Sequence, residues 1–282
     1  MTRSHRKDPT VTVAATATGP REETTGTPDL VRLTDVSIVH GRGRKAVVAV
    51  DGADLEIGRK EFVAVIGPSG CGKSTLLKAV AGLLPAGSVQ GRIAVDGLDP
   101  AAARRANRFA FVFQEPVLAP WRTALQNVRL PLEVAGRDVR ARAGRTPEEL
   151  LELVGLQSFA DKLPAELSGG MKQRVSIARA LTLEPSVLLM DEPFGALDEI
   201  TRDHMHSELL TIWSATGSSV VLVTHSLTEA AFVADRVVVM SPRPGRIKTV
   251  LRMPFARPRD PALKTSVEFL EAVNEIRAAL EA

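Results

Sequence analysis

The 282-residue chain has no tyrosine, a single cysteine at Cys71, and no window that approaches the ~18 continuous apolar residues of a membrane span. One cysteine excludes an internal disulfide, so the fold must rest on its core and suits a reducing compartment, the cytosol by default. The N-terminus also lacks the apolar block of a secretion signal. The expectation is a chain that neither crosses nor leaves through a membrane unaided. Charge of one sign is scarce as well: 36 Lys and Arg against 33 Asp and Glu leave a net +3, too little to argue for nucleic acid. The basic clusters Arg104, Arg105, Arg108 and Arg137, Arg140, Arg142, Arg145 read as solvated faces, with an anionic partner or lipid surface as the other reading.

What is present is enough to build a large core, since 44% of residues are hydrophobic. Residues 1–29 are rich in Thr, Pro, Gly and charge without an apolar period, and are expected to form a disordered tail. From Leu30 onward short apolar runs recur: VRLTDVSIV, ADLEI, EFVAVIG, GRIAVDG, FAFVF, SVLLMD, SVVLVTH and DRVVVM. Val63–Ile66, Val187–Met190 and Val220–Val223 are continuously apolar, the pattern of parallel strands covered on both faces. Helical stretches such as Lys73–Ala81 and Glu199–Ala215 lie between them, which implies βαβ units and an α/β fold with a parallel core sheet. From Gln114 to about Leu183 the strand pattern gives way to helical segments, broken by Pro131 and the GRTPEE turn, so a helical subdomain (about 115–183) is expected as an insertion. The tail from Pro261 to about 281, with Leu263, Val267, Leu270, Val273, Asn274, Ile276 and Leu280 at near-helical spacing, predicts a C-terminal amphipathic helix packed on its own domain or on a partner.

The stretch GPSGCGKST places Gly67, Pro68, Ser69, Gly70, Cys71, Gly72, Lys73, Ser74 and Thr75 between an apolar strand and a helix. Its G-x-x-x-x-G-K-S order lets the backbone curl with N–H groups inward. Lys73 then neutralises the β and γ phosphates of a nucleotide, and the Ser74 hydroxyl can ligate Mg²⁺. Cys71 fills a small-residue slot, with its thiol expected beside the nucleotide and open to alkylation. SVLLMDEP ends a strand in Asp191 and Glu192, the first suited to hold the metal directly or through water, the second to act as general base on an attacking water. Gln114 ends FAFVFQ and His225 ends SVVLVTH, so both are expected at the same sheet edge, Gln114 toward the metal or the water. LSGGMKQR opens a further helix, whose free N–H groups at Ser168, Gly169 and Gly170 attract an anion. A helix end contributes only about 0.3 to 2 kcal/mol toward an anion, short of the roughly 4 kcal/mol of millimolar affinity. Those residues can complete a phosphate site but cannot make one.

In this order and rough spacing, GPSGCGKST, the Gln114 loop, LSGGMKQR, VLLMDEP, GALD and His225 resemble the ATP-binding subunits of ABC transporters over about residues 30–282. FVFQEPVLAPWRTALQNVRLPLE and MSPRPGRI look like the importer ATPases of the nitrate, sulfonate and taurine type. The resemblance implies a P-loop NTPase cassette with a mixed or parallel core sheet, an antiparallel β subdomain and the helical insertion. It implies a homodimer in which two ATP, with Mg²⁺, are sandwiched between phosphate loops and the opposing signature helices, and an Asp198 that touches the other subunit. His225 would hold the γ-phosphate. Members usually stack an aromatic ring on adenine; this chain lacks tyrosine, and His40 is the substitute, with an exposed turn histidine as the other reading. The implied partners are two transmembrane permease subunits and, indirectly, an extracytoplasmic solute-binding protein, with no nucleic acid. The implied location is the cytoplasmic face of the membrane, as a peripheral subunit. Gln114–Asn127, with Trp121, is the candidate docking surface, unless that tryptophan is partly buried core. A non-transport ABC ATPase acting on ribosomes or DNA is the alternative, though neither a second cassette nor a long coiled coil is present. A kinase or GTPase is disfavoured by LSGG and His225.

Overall fold

A computed structural model describes residues 29–41, 43, 46–140 and 144–282; the expected tail up to residue 28 and Arg142 lie outside the described residues. Two sheets form the frame. β1 (Val31–His40), β2 (Val47–Ile57) and β4 (Val89–Val95) make an antiparallel sheet in the order β2-β1-β4. β3 (Phe62–Ile66), β5 (Phe109–Val112), β6 (Val187–Asp191), β7 (Ser219–Val223), β8 (Arg236–Met240) and β9 (Ile247–Arg252) make the second, in the order β5-β6-β7-β3-β8-β9. Its first five strands run parallel, and β9 closes the edge antiparallel to β8. β9 is not anticipated by the apolar runs, because IKTVLR is half polar and only half-buried at an edge.

The continuously apolar strands behave as their composition requires. Phe62, Ala64 and Ile66 of β3 enter one core with Leu188, Met190, Val220 and Leu222, while Val63 and Val65 enter the other with Leu189, Val221 and Val223. The first core is capped by helices α6 (Gly169–Leu181), α7 (Glu199–Thr216), α8 (Leu227–Val233) and α9 (Val267–Glu281); the second by α1 (Lys73–Val80) and the antiparallel sheet. Burial on both faces stabilises each Val, Ile or Phe by roughly 1.5 to 3 kcal/mol, which is what holds a strand lacking polar alternation.

Helix starts are set by local chemistry. Asp99 caps α2 (Pro100–Arg105), Thr123 and Gln126 form a capping box on α3 (Ala124–Val134), and Thr146 with Glu149 forms another on α5 (Pro147–Leu153). A single turn, α4 (Arg137–Arg140), lies between them. Ser168, Asp198, Ser226 and Ser266 cap α6 to α9. Pro131 sits inside α3 and does not break it: the helix runs three residues further, and the missing N–H removes one bond near its end. The C-terminal helix starts at Val267, after a short 3₁₀ turn at Pro261–Thr265, because Ser266 caps it through the Phe269 N–H. Its buried face is Phe269, Ala272, Val273 and Ile276, packed on its own domain, whereas Val267 and Leu270 point to solvent.

Phe62 joins these layers. Its ring meets Trp213 of α7 edge-on at 5.8 Å, the Arg257 guanidinium lies 4.1 Å from the Trp213 ring, and Asp235 accepts both the Phe62 N–H (2.9 Å) and Arg257 Nε–H (2.8 Å). Truncating Phe62→Ala should lower unfolding free energy by about 3 to 5 kcal/mol, read as a lower urea midpoint with unchanged slope.

Candidate functional site

Five parallel strands end at one edge, and an apolar strand can deliver polar groups only where its burial stops. β3 runs into the Gly67–Gly72 loop, β6 into Asp191–Glu192, β7 into Thr224–His225 and β5 into Phe113–Gln114. Gln114 and His225 therefore sit two residues past their strands, in bends, and not at the strand termini that the apolar runs suggest.

The loop forms as its glycines demand. Gly72, with φ of 106°, is the cap residue of α1, and a Cβ there would lie 2.8 Å from the Ala49 carbonyl oxygen. Lys73 is buried and its Nζ donates to the carbonyls of Gly67 (2.8 Å) and Pro68 (3.0 Å). Ser74 Oγ donates to Asp191 Oδ1 at 2.6 Å, which joins α1 to β6 across 117 residues of sequence. Two hard oxygen donors so placed fit Mg²⁺, which is usually held by one or two carboxylates together with substrate phosphates. Ser69, Gly70, Gly72, Lys73, Ser74, Thr75, Glu192 and Arg243 line one cleft over the loop.

Glu192 adopts φ of 46°, a left-handed conformation that costs a non-glycine residue about 1 to 3 kcal/mol. Its N–H donates to the Val223 carbonyl at 2.9 Å, and its Oε2 lies 3.1 Å from His225 Nδ1. A carboxylate can only accept, so Nδ1 carries the proton of that bond. Gln114 belongs to the same group, since a Cβ built on Gly195 would lie 3.2 Å from Gln114 Nε2 and 3.7 Å from Glu192 Oε2. His40, at the end of β1, approaches Thr75 Oγ1 at 3.4 Å through Nε2, so the imidazole stands beside the loop and exposed. The structure thus brings together Lys73, Ser74, Asp191, Glu192, His225, Gln114 and His40.

Ser168, Gly169 and Gly170 are elsewhere. They start α6, where Ser168 Oγ accepts the Met171 N–H (3.3 Å) and Gly169 and Gly170 back onto Leu197 and Thr201 at the start of α7; they do not line the cleft. Asp198 caps α7 by accepting the Thr201 N–H at 2.9 Å, and that bond holds its carboxyl below the usual range.

Cys71 corrects one expectation. It is 1% exposed, and its Sγ lies within 2.8 Å of where a Gly67 Cβ would stand, among the side chains under the loop. A small residue is needed there for packing, and the thiol is shielded from alkylating agents.

Three contributors escaped sequence reasoning. Buried His206 and Glu229 meet at 3.0 Å, Glu229 also bonds the Thr224 hydroxyl, and Thr224 Oγ1 accepts the Ser226 N–H (3.0 Å), so this buried chain braces the residue before His225. A His in a helix that also carries His204, and a Glu after SVVLVTH, show no local mark of such a pairing. Arg243 is the third, and in the sequence its phrase, MSPRPGRI, carries only a family resemblance.

An α/β sheet whose phosphate-loop lysine, strand-end carboxylates and histidine share one edge defines a P-loop nucleotide-binding protein. The profile described as ABC transporter matches residues 50–195. The taurine import ATP-binding protein TauB of Rhizobium johnstonii is 47% identical over 244 residues, covering 84% of this chain and 90% of that protein. An uncharacterised ABC transporter ATP-binding protein of Methanocaldococcus jannaschii is 46% identical over 234 residues, covering 82% and 83%. A solved dimeric ATP-binding cassette in a post-hydrolysis state, bound to ADP and Pi, is 32% identical with a TM-score of 0.65, covering 80% of this chain and 100% of that one. The chain belongs to the ABC transporter family. It is an ATPase built on the cassette fold.

The shielding of Cys71 is directly measurable. In native buffer the thiol should react with an aromatic disulfide reagent at least about a hundredfold more slowly than in denaturant, where one thiol per chain is expected.

Proposed function

We propose that the chain is the ATP-hydrolysing subunit of an importer for a small anionic or sulfonate-like solute, working as a homodimer on the cytoplasmic face of a membrane and coupled to two separate permease subunits. An extracytoplasmic solute-binding protein would deliver the solute. The observation that carries the mechanism is that one chain holds a complete phosphate-loop half site while its free helix end, Ser168–Gly170, lies outside that cleft. A second copy packed head to tail supplies the missing end to the γ-phosphate. The similarity to a dimeric cassette, and to proteins named for taurine import, supports this arrangement and the solute class.

Within each site Lys73 neutralises the β and γ phosphates, and Ser74, Asp191 and Gln114 would hold Mg²⁺, which would screen phosphate charge. Glu192 polarises the attacking water through the oxygen that His225 does not engage. His225, protonated at Nδ1 toward Glu192, can donate from Nε2 to the γ-phosphate only as the imidazolium. Hydrolysis removes the phosphate that joins the copies, so the helical subdomains separate. His40 stacks on adenine beside Thr75. Asp198, at the tip of α7, meets the other copy and reports the state of its site.

The motion needs a route to the permease, and the segment before α3 suits that role. Trp121 is 77% exposed and Val117 61%, which sets aside the reading of Trp121 as partly buried core. The segment is nevertheless rigid. Buried Asn127 accepts the Ala119 N–H (2.8 Å) and donates to the Ala119 and Arg122 carbonyls, while from α6 Gln173 bonds the Phe113 carbonyl (3.3 Å) and Arg179 the Val117 carbonyl (2.6 Å). An exposed aromatic held this firmly suits a docking surface. The signature helix and the docking segment therefore move as one piece.

Glu192→Gln protein with excess MgATP should elute as a dimer in size-exclusion chromatography with light scattering, and adding Ser168→Arg should return it to monomer; a monomer in the first case overturns the composite site. Trp121→Ala should weaken capture of the detergent-solubilised permease by about 2 kcal/mol, roughly thirtyfold in affinity.

A further inference from the structure

The turn between β8 and β9, residues 241–246 with the sequence SPRPGR, is fastened to β2 and lies against the phosphate loop. The Gly245 N–H donates to the Ala49 carbonyl at 2.9 Å, and the Asp51 N–H donates to the Gly245 carbonyl at 2.9 Å. A Cβ on Gly245 would stand 1.9 Å from the Cys71 carbonyl oxygen, so only glycine lets the two backbones approach. Ser241 Oγ accepts the Arg246 N–H (3.0 Å), and Arg246 pairs with Asp51 at 2.5 Å. These contacts fix the turn from both sides. Its apex carries Arg243 onto the lining of the cleft, against Gly70.

Arg243 is placed differently from its neighbour Arg246. Its Nε donates to the Gly70 carbonyl at 3.3 Å, and among the described residues no carboxylate pairs with it, whereas Arg246 has Asp51. A guanidinium offers five N–H donors in a planar fork, and this one spends a single donor on the loop. Lys73 behaves in parallel, resting on the carbonyls of Gly67 and Pro68. Both cations of the cleft lining thus hold carbonyls of the loop with part of their donors. The only carboxylate in the lining is Glu192, already bonded to His225, so a polyphosphate would be the first anion to meet Arg243.

We infer that Arg243 is a second phosphate-binding cation of this site, engaging the terminal phosphates of the nucleotide from the Gly70 side while the turn holds the loop in shape. This rests on the reading of the cleft as the ATP site. A carboxylate on a second copy of the chain is the competing occupant, and the experiment separates the two.

The test is calorimetric titration of the full chain with MgATP, MgADP and AMP at several salt concentrations, for wild type, Arg243→Ala, Arg243→Gln, Arg243→Lys and Lys73→Ala. Arg243→Ala and Arg243→Gln should weaken MgATP about tenfold, weaken MgADP less and leave AMP unchanged, with a shallower salt dependence. Arg243→Lys should recover part of the loss. Gln retains a donor for the Gly70 carbonyl without the charge, so equal losses in Ala and Gln mark charge and not bracing. If Lys73→Ala weakens MgATP but the Arg243 variants bind it like wild type, this inference alone is overturned. If Lys73→Ala also binds like wild type, the cleft is not the nucleotide site and both readings fall. If the Arg243 variants bind MgATP normally yet, in the Glu192→Gln background, no longer dimerise on it, the guanidinium meets the second copy and the inference is overturned in that direction.

Discussion

The two-sided burial of the parallel strands is the constraint from which the rest follows. β3 and β7 are buried along their whole length, and β6 up to Asp191, so none has a solvent face on which to place a polar side chain. Polar chemistry is pushed to the strand ends, and parallel strands put all equivalent ends at one edge. Lys73, Ser74, Asp191, Glu192, Gln114 and His225 gather there because no other part of the sheet could carry them. The left-handed backbone at Glu192 shows what this crowding costs locally, and the N–H bond to Val223 holds it in place.

A second layer of order lies in α6. Its N-terminus leaves Ser168 and Gly169 exposed, its middle grips the Phe113 carbonyl through Gln173, and Arg179 near its C-terminus grips the Val117 carbonyl. Burial lowers the pKa of Arg179, yet an arginine so far above neutrality stays charged and keeps its bond. One helix thus links a glycine-rich start to the segment that carries exposed Val117 and Trp121. In a two-state machine such an element transmits displacement without any change in its own conformation. The buried His206–Glu229–Thr224 chain is the matching brace on the opposite side, tying α7 and α8 to the residue before His225.

Much of this was readable in advance. Eight of the nine strands among the described residues stand out as apolar runs, and the phosphate loop, the strand-end carboxylates and the signature helix follow from residue types at short spacing. The misreadings share a cause. β9 is too polar to stand out and forms only because β8 offers it an edge. Pro131 looked like a break, but near the end of α3 a missing N–H removes little. The stripe expected on the C-terminal helix included Val267 and Leu270, whereas Phe269 faces the core, because the Ser266 cap sets where the helix begins and hence its phase. Cys71 was expected to face the cleft, and the approach of Gly67 and Gly245 turned it inward.

The sequence alone determined which chemistry the chain could perform: a curled glycine loop with a lysine, a hydroxyl ahead of a helix, carboxylates at a strand end and a helix start that attracts anions are all encoded within a few residues, where backbone geometry is local. Tertiary structure decided which of these meet. Ser74 reaches Asp191 across 117 residues and Arg243 reaches Gly70 across 173, and those meetings depend on the order of strands in the sheet, which leaves no period or spacing in the chain. Contacts of that range are set by how whole faces pack, and packing is a property of the folded layers that no short stretch contains.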